Sequence, residues 1–325
     1  MRILLLLVSF AFAFCGKKES SLLNVSYDPT REFFHEYNEL SQTHWKKVSG
    51  EDIQVTQSHG GSGKQARAVI DGLPADVVTL GCSYDIDRIA ARGLLPADWQ
   101  QKLPNNSSPF YSTIVFVVRK GNPQNIHDWP DLVAPGVTVI LPNPKTGSSA
   151  RWAYLAAYGQ AKKTGGKAAA DEYIRKLIAA VPIMDTGARA ALTTFAERGM
   201  GDVFLSWEND AYLALHEHPD LQIIVPPVSI RAEPAVAVVE KNAGPRLKAA
   251  QEYLTYLYSE EAQDLAGRHH YRPRSAAAAS RYASTFPNLI LLDLTEVAGS
   301  WAQADKEHFA DGASFDQAYQ KRSRP

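Results

Sequence analysis

Two short clusters of glycine and hydroxyl-bearing residues stand where a strand-like run of the sequence meets a helix-like run. They occupy Ser58–Lys64 and Thr146–Trp152. The first turn of a helix carries backbone N–H groups that have no partner within the helix, and the positive end of the helix dipole lies beside them. Glycine lets a ligand approach the backbone closely, and serine adds a hydroxyl donor. Two such junctions in one chain therefore predict an anion that is held from two sides.

Neither cluster has the residues of a known catalytic motif. The first is similar to the end of a nucleotide P-loop, but Ser58 takes the place of the first glycine and Gln65 replaces the Ser or Thr that would hold magnesium. No Gly-x-Ser-x-Gly elbow surrounds a serine of either cluster, and the histidines at 216–218 and 269–270 lack the spacing of a metal site. His59 fits either a general base or a residue that orients its loop by a hydrogen bond, and we expect the second role. We expect no catalytic residue, no metal and no cofactor.

The N-terminus predicts export. A basic start is followed by a short apolar run, and Ala11–Ala13 fits a small-x-small cleavage site. The apolar run is too short to span a bilayer, so residues 1–20 are interpreted as an export signal that is cleaved near 13–15. Cys15 follows directly, and its lipidation stays open as an alternative, although the bulky Phe14 stands where lipoprotein signals usually carry a small residue.

Length and charge narrow the class of protein. The chain has 325 residues, which leaves room for two lobes of ordinary domain size after the signal. Its net charge of −1 argues against a basic face that binds nucleic acid. Only Cys15 and Cys82 are present, so the sequence implies no disulfide framework, and Cys82 is expected to be a small buried residue.

Strand-like and helix-like runs alternate along the chain, which predicts an α/β fold with mainly parallel sheets. Ligands of such sheets bind beyond the carboxyl ends of the strands, where both clusters stand. Asp28 follows the first strand and precedes Pro29, so we expect Asp28 to be the N-cap of a helix. The strand-like runs that carry the argument lie at 22–27, 53–57, 76–80, 113–118, 137–141, 203–207, 223–225 and 235–239.

Longer runs carry a resemblance to one family. They are Asn24–Glu32, Gln57–Gln65, Val118–Pro123, Ile126–Trp129, Pro142–Lys145, Ser206–Asn209 and Tyr271–Arg274. Together they resemble the periplasmic sulfate-binding proteins of ABC import systems, and thiosulfate-binding relatives share most of these motifs. The resemblance covers essentially all of the chain after the signal.

The resemblance implies a two-lobed type II periplasmic binding protein, with a mainly parallel sheet flanked by helices in each lobe. It implies that residues 21–115 and 232–325 form the first lobe, that 116–231 form the second, and that two hinge crossings join them. The implied function is capture of sulfate in the cleft and its delivery to a membrane permease, by a monomer that binds no nucleic acid. A receptor for thiosulfate, molybdate or phosphate stays open, as does, from another class, an exported hydrolase of sulfate or phosphate esters.

The resemblance also implies the site residues. The anion would be bound by Asp28 and Ser62 from the first lobe and by Gly147, Ser148, Ser149, Ala188 and Trp207 from the second, with His59, Thr146 and Arg189 in support. Asp28 and Ala188 would donate backbone N–H groups, and Trp207 would donate its indole N–H. Relatives commonly read Ser-Ser-Gly-Gly where this chain reads Thr146-Gly147-Ser148-Ser149, so the serine that usually donates its hydroxyl aligns with Gly147. Three alternatives stay open: Ser148 replaces that donor, Thr146 replaces it, or the site has one direct bond fewer. Arg189 would either lie close to the anion or pair with a carboxylate.

Overall fold

The computed structural model describes residues 20–322 of the chain. The predicted cleavage site and Cys15 lie outside these residues, so cleavage and lipidation stay predictions. Among the described helices, none has both the length and the apolar character that crossing a membrane requires.

Twelve strands are found in the described part of the chain. In order they are β1 Ser20–Tyr27, β2 Ile53–Gly60, β3 Val77–Leu80, β4 Phe110–Tyr111, β5 Ile114–Arg119, β6 Val139–Ile140, β7 Val203–Trp207, β8 Leu221–Ile224, β9 Val228–Ile230, β10 Ala235–Val238, β11 Arg272–Pro273 and β12 Ile290–Leu292.

The α-helices within residues 20–322 lie between these strands and after the last of them. They are α1 Arg31–Ser49, α2 Ser62–Ile70, α3 Ser83–Ala90, α4 Pro104–Ser107, α5 Ser148–Ala179, α6 Ala188–Leu192, α7 Glu208–Glu217, α8 Glu240–Ala243, α9 Leu247–Tyr256, α10 Glu260–Arg268, α11 Ala276–Arg281, α12 Leu294–Ala298, α13 Trp301–Ala304 and α14 Ser314–Arg322. A 3₁₀ turn at Asp28–Thr30 joins β1 to α1. Helix α5 is interrupted at Gly166, whose φ of 75° lies in the left-handed region.

Two four-stranded sheets form the centres of two lobes. The first has the order β10-β3-β1-β2, in which β1 is parallel to β2 and β3 and only β10 is antiparallel to its neighbour. The second has the order β6-β7-β5-β8, and β5 is antiparallel to both β7 and β8. The two-lobed α/β fold is therefore confirmed, but the second sheet is mixed and not mainly parallel. Strand β5 begins beside the end of β7, because the chain enters this lobe along β5 and runs back along β7.

Alternating side chains bury both faces of each sheet. In the first sheet, Leu22 and Val77 face one apolar cluster, while Val25 and Val78 face another on the opposite side. The same period of two divides β5 and β7 between two clusters of the second sheet. This burial on both faces explains the continuous apolar runs of these strands in the sequence.

Two neighbouring segments connect the sheets. Ser112 and Ala232 exchange backbone hydrogen bonds of 2.9 Å, and Thr113 donates its hydroxyl to the carbonyl of Ile230 at 2.8 Å. The expected lobe bounds at 115–116 and 231–232 fall in or beside these segments, while the hinge crossings and the hinge motion stay predictions.

The C-terminal segment returns to the second lobe. Strand β12 pairs with β9, and side chains of α12, α13 and α14 join the apolar cluster around α5. The Lys145 ammonium donates to the carbonyl of Phe309 at 2.8 Å and to Asp316 Oδ2 at 3.0 Å, which fastens the segment to the second glycine cluster. This packing differs from the expected assignment of all of 232–325 to the first lobe. The cause is the apolar surface of α5, which the last three helices cover.

Candidate anion-binding site

The carboxyl ends of strands from both lobes meet at one gap. Strand β2 leads through Gly61 into α2, and β7 ends at Trp207, directly before α7. Helices α5 and α6 begin at the same gap with Ser148 and Ala188. The arrangement agrees with the expectation that the ligand site of an α/β sheet lies beyond its strand ends.

The two glycine clusters touch across this gap. A Cβ atom on Gly61 would lie 2.8 Å from the carbonyl oxygen of Thr146 and 3.0 Å from that of Thr186, so a side chain would not fit there. A Cβ atom on Gly187 would lie 3.0 Å from Asp28 Oδ2. The starts of α2, α5 and α6 are thereby held close together, and their free N–H groups converge on a narrow space.

Besides the Tyr27 hydroxyl and Nδ1 of His59, two buried polar groups at the gap have no hydrogen-bond partner among the described residues. They are the indole Nε1 of Trp207 and the hydroxyl of Ser148, whose residues are 0% and 1% exposed. A buried donor without a partner costs about 1–3 kcal/mol, so native proteins rarely keep one without a reason. Both groups fit a ligand that accepts hydrogen bonds.

The hydroxyl of Ser62 is engaged within the protein. It donates to Asp85 Oδ2 at 2.6 Å and accepts from the N–H of Gly81 at 3.1 Å. On the other side of Asp85, the Arg151 guanidinium of the second lobe donates to Oδ1 at 2.8 Å, and both side chains are buried. Ser62 therefore lies at the gap as predicted, but its proton points to a neutralised carboxylate.

Two further residues of the second cluster are also engaged. Thr146 donates its hydroxyl to the carbonyl of Thr186 at 2.8 Å. Gly147 donates its N–H to the carbonyl of Asn143 at 3.0 Å and precedes the first residue of α5. Gly147 thus differs from the expected ligand donor, because its single donor is spent inside the loop. Ser149 is the second residue of α5 and is buried beside Ser148.

Asp28 is not the N-cap that the sequence predicted. Strand β1 continues through Tyr27, so Tyr27 takes the cap position of the 3₁₀ turn and no side chain caps it. The Asp28 carboxylate instead lies against Gly187, and the guanidinium of Arg31 is 3.4 Å away. Burial raises the pKa of Asp28, while Arg31 and Arg189 oppose that shift.

Two of the predicted supporting residues, His59 and Arg189, each contact another side chain of the protein. His59 is hydrogen-bonded to the Gln57 side chain, and burial together with the charge of Arg31 lowers its pKa to about 4. The imidazole is therefore neutral near pH 7, which suits the expected orienting role. Arg189 reaches across the gap to Glu32 at 2.7 Å, so of its two open roles the structure shows the pairing with a carboxylate.

Sequence reasoning missed three residues of this region, namely Gly81, Asp85 and Asp210. Gly81 directly follows β3, and its carbonyl accepts a 2.7 Å hydrogen bond from the indole N–H of Trp152. One feature of the sequence pointed to a partner such as Asp85. Arg151 is a charged residue near the otherwise apolar start of α5, and a buried charge needs a partner of opposite sign. Within residues 20–322, no group of three or more His, Cys, Asp and Glu could hold a metal ion.

Asp210 is a buried carboxyl group three residues after Trp207. It is 4% exposed, and burial raises its pKa to about 7. Arg189 lowers this pKa, whereas Glu32, Asp28 and Glu217 raise it further. Asp210 therefore changes its charge close to neutral pH.

We expect Asp210→Asn to stabilise the protein in a pH-dependent way. The pKa of an Asp is ~4 in the unfolded chain, and that of Asp210 is about 7 in the folded protein. As the pH rises through this window, the charge on Asp210 therefore destabilises the folded state relative to the unfolded chain. The substitution should raise the free energy of unfolding by up to about 4 kcal/mol at pH 8, and this gain should vanish towards pH 4. Urea denaturation across the range measures both. Asp52→Asn, at an aspartate whose side chain is 72% exposed, is the matched control. The same gain at both ends of the range would contradict the assignment.

The chain is similar to known binding proteins along most of its length. The family model of bacterial extracellular solute-binding proteins matches residues 30–272. The chain is 50% identical over 306 residues to the sulfate-binding protein of Escherichia coli, with 92% of this chain and 93% of that protein covered. It is 46% identical over 322 residues to the thiosulfate-binding protein of Pseudomonas aeruginosa, with 97% of each covered.

A solved structure gives the same answer. The sulfate-binding protein SubI from Mycobacterium tuberculosis superposes with a TM-score of 0.83 at 32% identity, and the match covers 90% of this chain and 100% of that chain. These relatives are binding proteins and not enzymes, which confirms the class predicted from the sequence. The chain belongs to the family of bacterial extracellular solute-binding proteins.

Proposed function

We propose that this protein captures sulfate in the gap between its lobes and delivers it to an ABC permease. The observation that carries the proposal is the indole N–H of Trp207, which is fully buried and has no partner within the described residues, on the residue that ends β7 directly before α7. The sulfate-binding relatives support the choice of ligand.

The chemistry of sulfate suits this gap. Sulfate is fully ionised near neutral pH, so it accepts hydrogen bonds and donates none. Burying a dianion is costly unless aligned dipoles replace its water, and the free N–H groups of the helix starts supply such dipoles. Arg151 and Arg189 are already paired with Asp85 and Glu32, so the anion is held by neutral donors.

The proposed donors are mainly backbone groups. Asp28 opens a 3₁₀ turn, and Ser62, Ser148 and Ala188 are the first residues of their helices, so their N–H groups have no partner within those elements. Ser149 follows in the second position of α5, and Trp207 adds its indole. Gly147, Thr146 and His59 shape the loops, and Arg189 closes the outer edge.

Two other anions have a specific observation in their favour. Thiosulfate is the ligand named for the relative from Pseudomonas aeruginosa. Monohydrogen phosphate carries a proton that the Asp28 carboxylate, which lies inside the gap against Gly187, is placed to accept. A site made only of hydrogen-bond donors has no acceptor for that proton and disfavours monohydrogen phosphate. A preference for sulfate or for phosphate therefore tells whether the gap presents only donors or also an acceptor.

The family resemblance supplies the rest of the proposal. We propose a periplasmic monomer, either free or lipid-anchored through Cys15. One lobe consists of residues 21–115 and of the part of 232–325 that precedes the C-terminal helices. The other lobe consists of residues 116–231 and of those helices, which pack on α5. The lobes close on the ligand by hinge motion at the paired crossings around Ser112 and Ala232.

The first test is a titration with sulfate, thiosulfate, molybdate and phosphate by isothermal calorimetry. Wild type should prefer sulfate, and Trp207→Phe should weaken sulfate binding by about 1.5–3 kcal/mol, the usual cost of losing a hydrogen bond to a charged group. Trp129→Phe is the matched control, because it removes a buried indole that donates to the carbonyl of Val228, far from the gap. Unchanged affinity in Trp207→Phe would remove that residue from the site, and a preference for phosphate would refute the proposed ligand.

The second test concerns closure. Saturating sulfate should reduce the radius of gyration measured by small-angle X-ray scattering, because rigid lobes approach each other around the ligand. Sodium chloride at equal ionic strength is the control. The same radius with and without sulfate would contradict the hinge.

A further inference from the structure

Four hydroxyl groups lie at the starts of α2 and α5, namely those of Ser62, Thr146, Ser148 and Ser149. The Ser62 hydroxyl donates to Asp85, and the Thr146 hydroxyl donates to the carbonyl of Thr186. The Ser148 hydroxyl has no partner within the described residues. Ser148 has the one hydroxyl of these four that is both fully buried and without a hydrogen-bond partner within the described residues.

Contacts with Gly81 in the first lobe fix the position of this hydroxyl. A Cβ atom on Gly81 would lie 1.9 Å from Ser148 Oγ, so the hydroxyl packs directly on the backbone of the first lobe. One helical turn further along α5, Trp152 donates its indole N–H to the carbonyl of Gly81 at 2.7 Å, which holds this face of α5 against the loop.

The same loop brings Ser148 to the proposed anion site. The N–H of Gly81 donates to Ser62 Oγ at 3.1 Å, so the Ser148 hydroxyl lies beside the start of α2 as well as at the start of its own helix. The first N–H groups of α2 and α5 have no acceptor within those helices, and as donors they cannot take its proton. An oxyanion held by the same N–H groups supplies the missing acceptor.

We propose that the Ser148 hydroxyl donates directly to the bound oxyanion and sets the preference for sulfate over thiosulfate. This inference rests on the proposed function and extends it. Sulfate presents an oxygen in every direction, and a hydroxyl reaches an oxygen at about 2.7 Å. Thiosulfate replaces one oxygen by a larger sulfur atom that accepts hydrogen bonds weakly. A hydroxyl pinned against Gly81 cannot withdraw to make room, so it favours the smaller anion.

Two variants separate the donor from the volume. Ser148→Ala removes the hydroxyl, and Ser148→Gly also clears the space beside Gly81. We expect Ser148→Ala to weaken sulfate binding about tenfold or more, the usual effect of losing a hydrogen bond to a charged group. Ser148→Gly should weaken thiosulfate binding less than sulfate binding, because the sulfur atom enters the cleared space. Calorimetric dissociation constants for both anions measure each effect.

The control is Ser314→Ala, which changes the first residue of α14, where the hydroxyl donates to the carbonyl of Glu307. It should leave both dissociation constants unchanged, and thermal unfolding checks that every variant is folded. If wild type binds sulfate and Ser148→Ala binds it equally well, the Ser148 assignment is overturned while the proposed function stands. Weaker sulfate binding by Ser149→Ala together with unchanged binding by Ser148→Ala would also overturn it. Equal losses of sulfate and thiosulfate affinity in Ser148→Gly would overturn it as well. Failure of wild type to bind sulfate would refute the proposed function itself.

Discussion

The close approach of two backbones at the gap is the constraint on which the rest of the site depends. Gly61 meets the carbonyls of Thr146 and Thr186, and Gly81 meets the side chain of Ser148, at distances that leave no room for a Cβ atom. Because the loops touch, the starts of helices from different lobes direct their free N–H groups into one small volume. A looser fit would leave water between them, and the dipoles would then act on solvent.

Two ion pairs join the lobes beside that volume. The Arg151–Asp85 pair joins the lobes at 2.8 Å behind the helix starts, and the Arg189–Glu32 pair joins them at 2.7 Å on the partly exposed edge. Removing one partner of a buried pair typically costs about 3–5 kcal/mol, because it leaves a charge without compensation. The pairs therefore fix the approach of the lobes, and the proposed donors to the ligand are neutral. Ser62 belongs to this framework through its bond to Asp85.

The parts of the site that depend on local sequence could be predicted. The helix starts at Ser62 and Ser148 and the strand end at Trp207 follow from glycine, hydroxyl and apolar patterns over a few neighbouring residues. The Asp28 cap was wrong because Tyr27, the last residue of β1, takes the cap position of the 3₁₀ turn and Asp28 becomes the first residue of that turn. Arg151 and Asp85 are 66 residues apart, so no local pattern links them. The mixed second sheet and the return of the C-terminal helices to α5 likewise depend on packing between distant segments.

The central claim is that neutral donors between the lobes, and not surface cations, hold the anion. The most direct measurement is a crystal structure of the protein grown with sulfate. The account predicts one sulfate between the starts of α2, α5 and α6, with an oxygen within hydrogen-bond distance of Trp207 Nε1 and with the Arg151–Asp85 and Arg189–Glu32 pairs intact. A sulfate bound at the rim by the side chains of Arg31, Lys64 or Arg189, with the Trp207 indole still unpartnered, would contradict it.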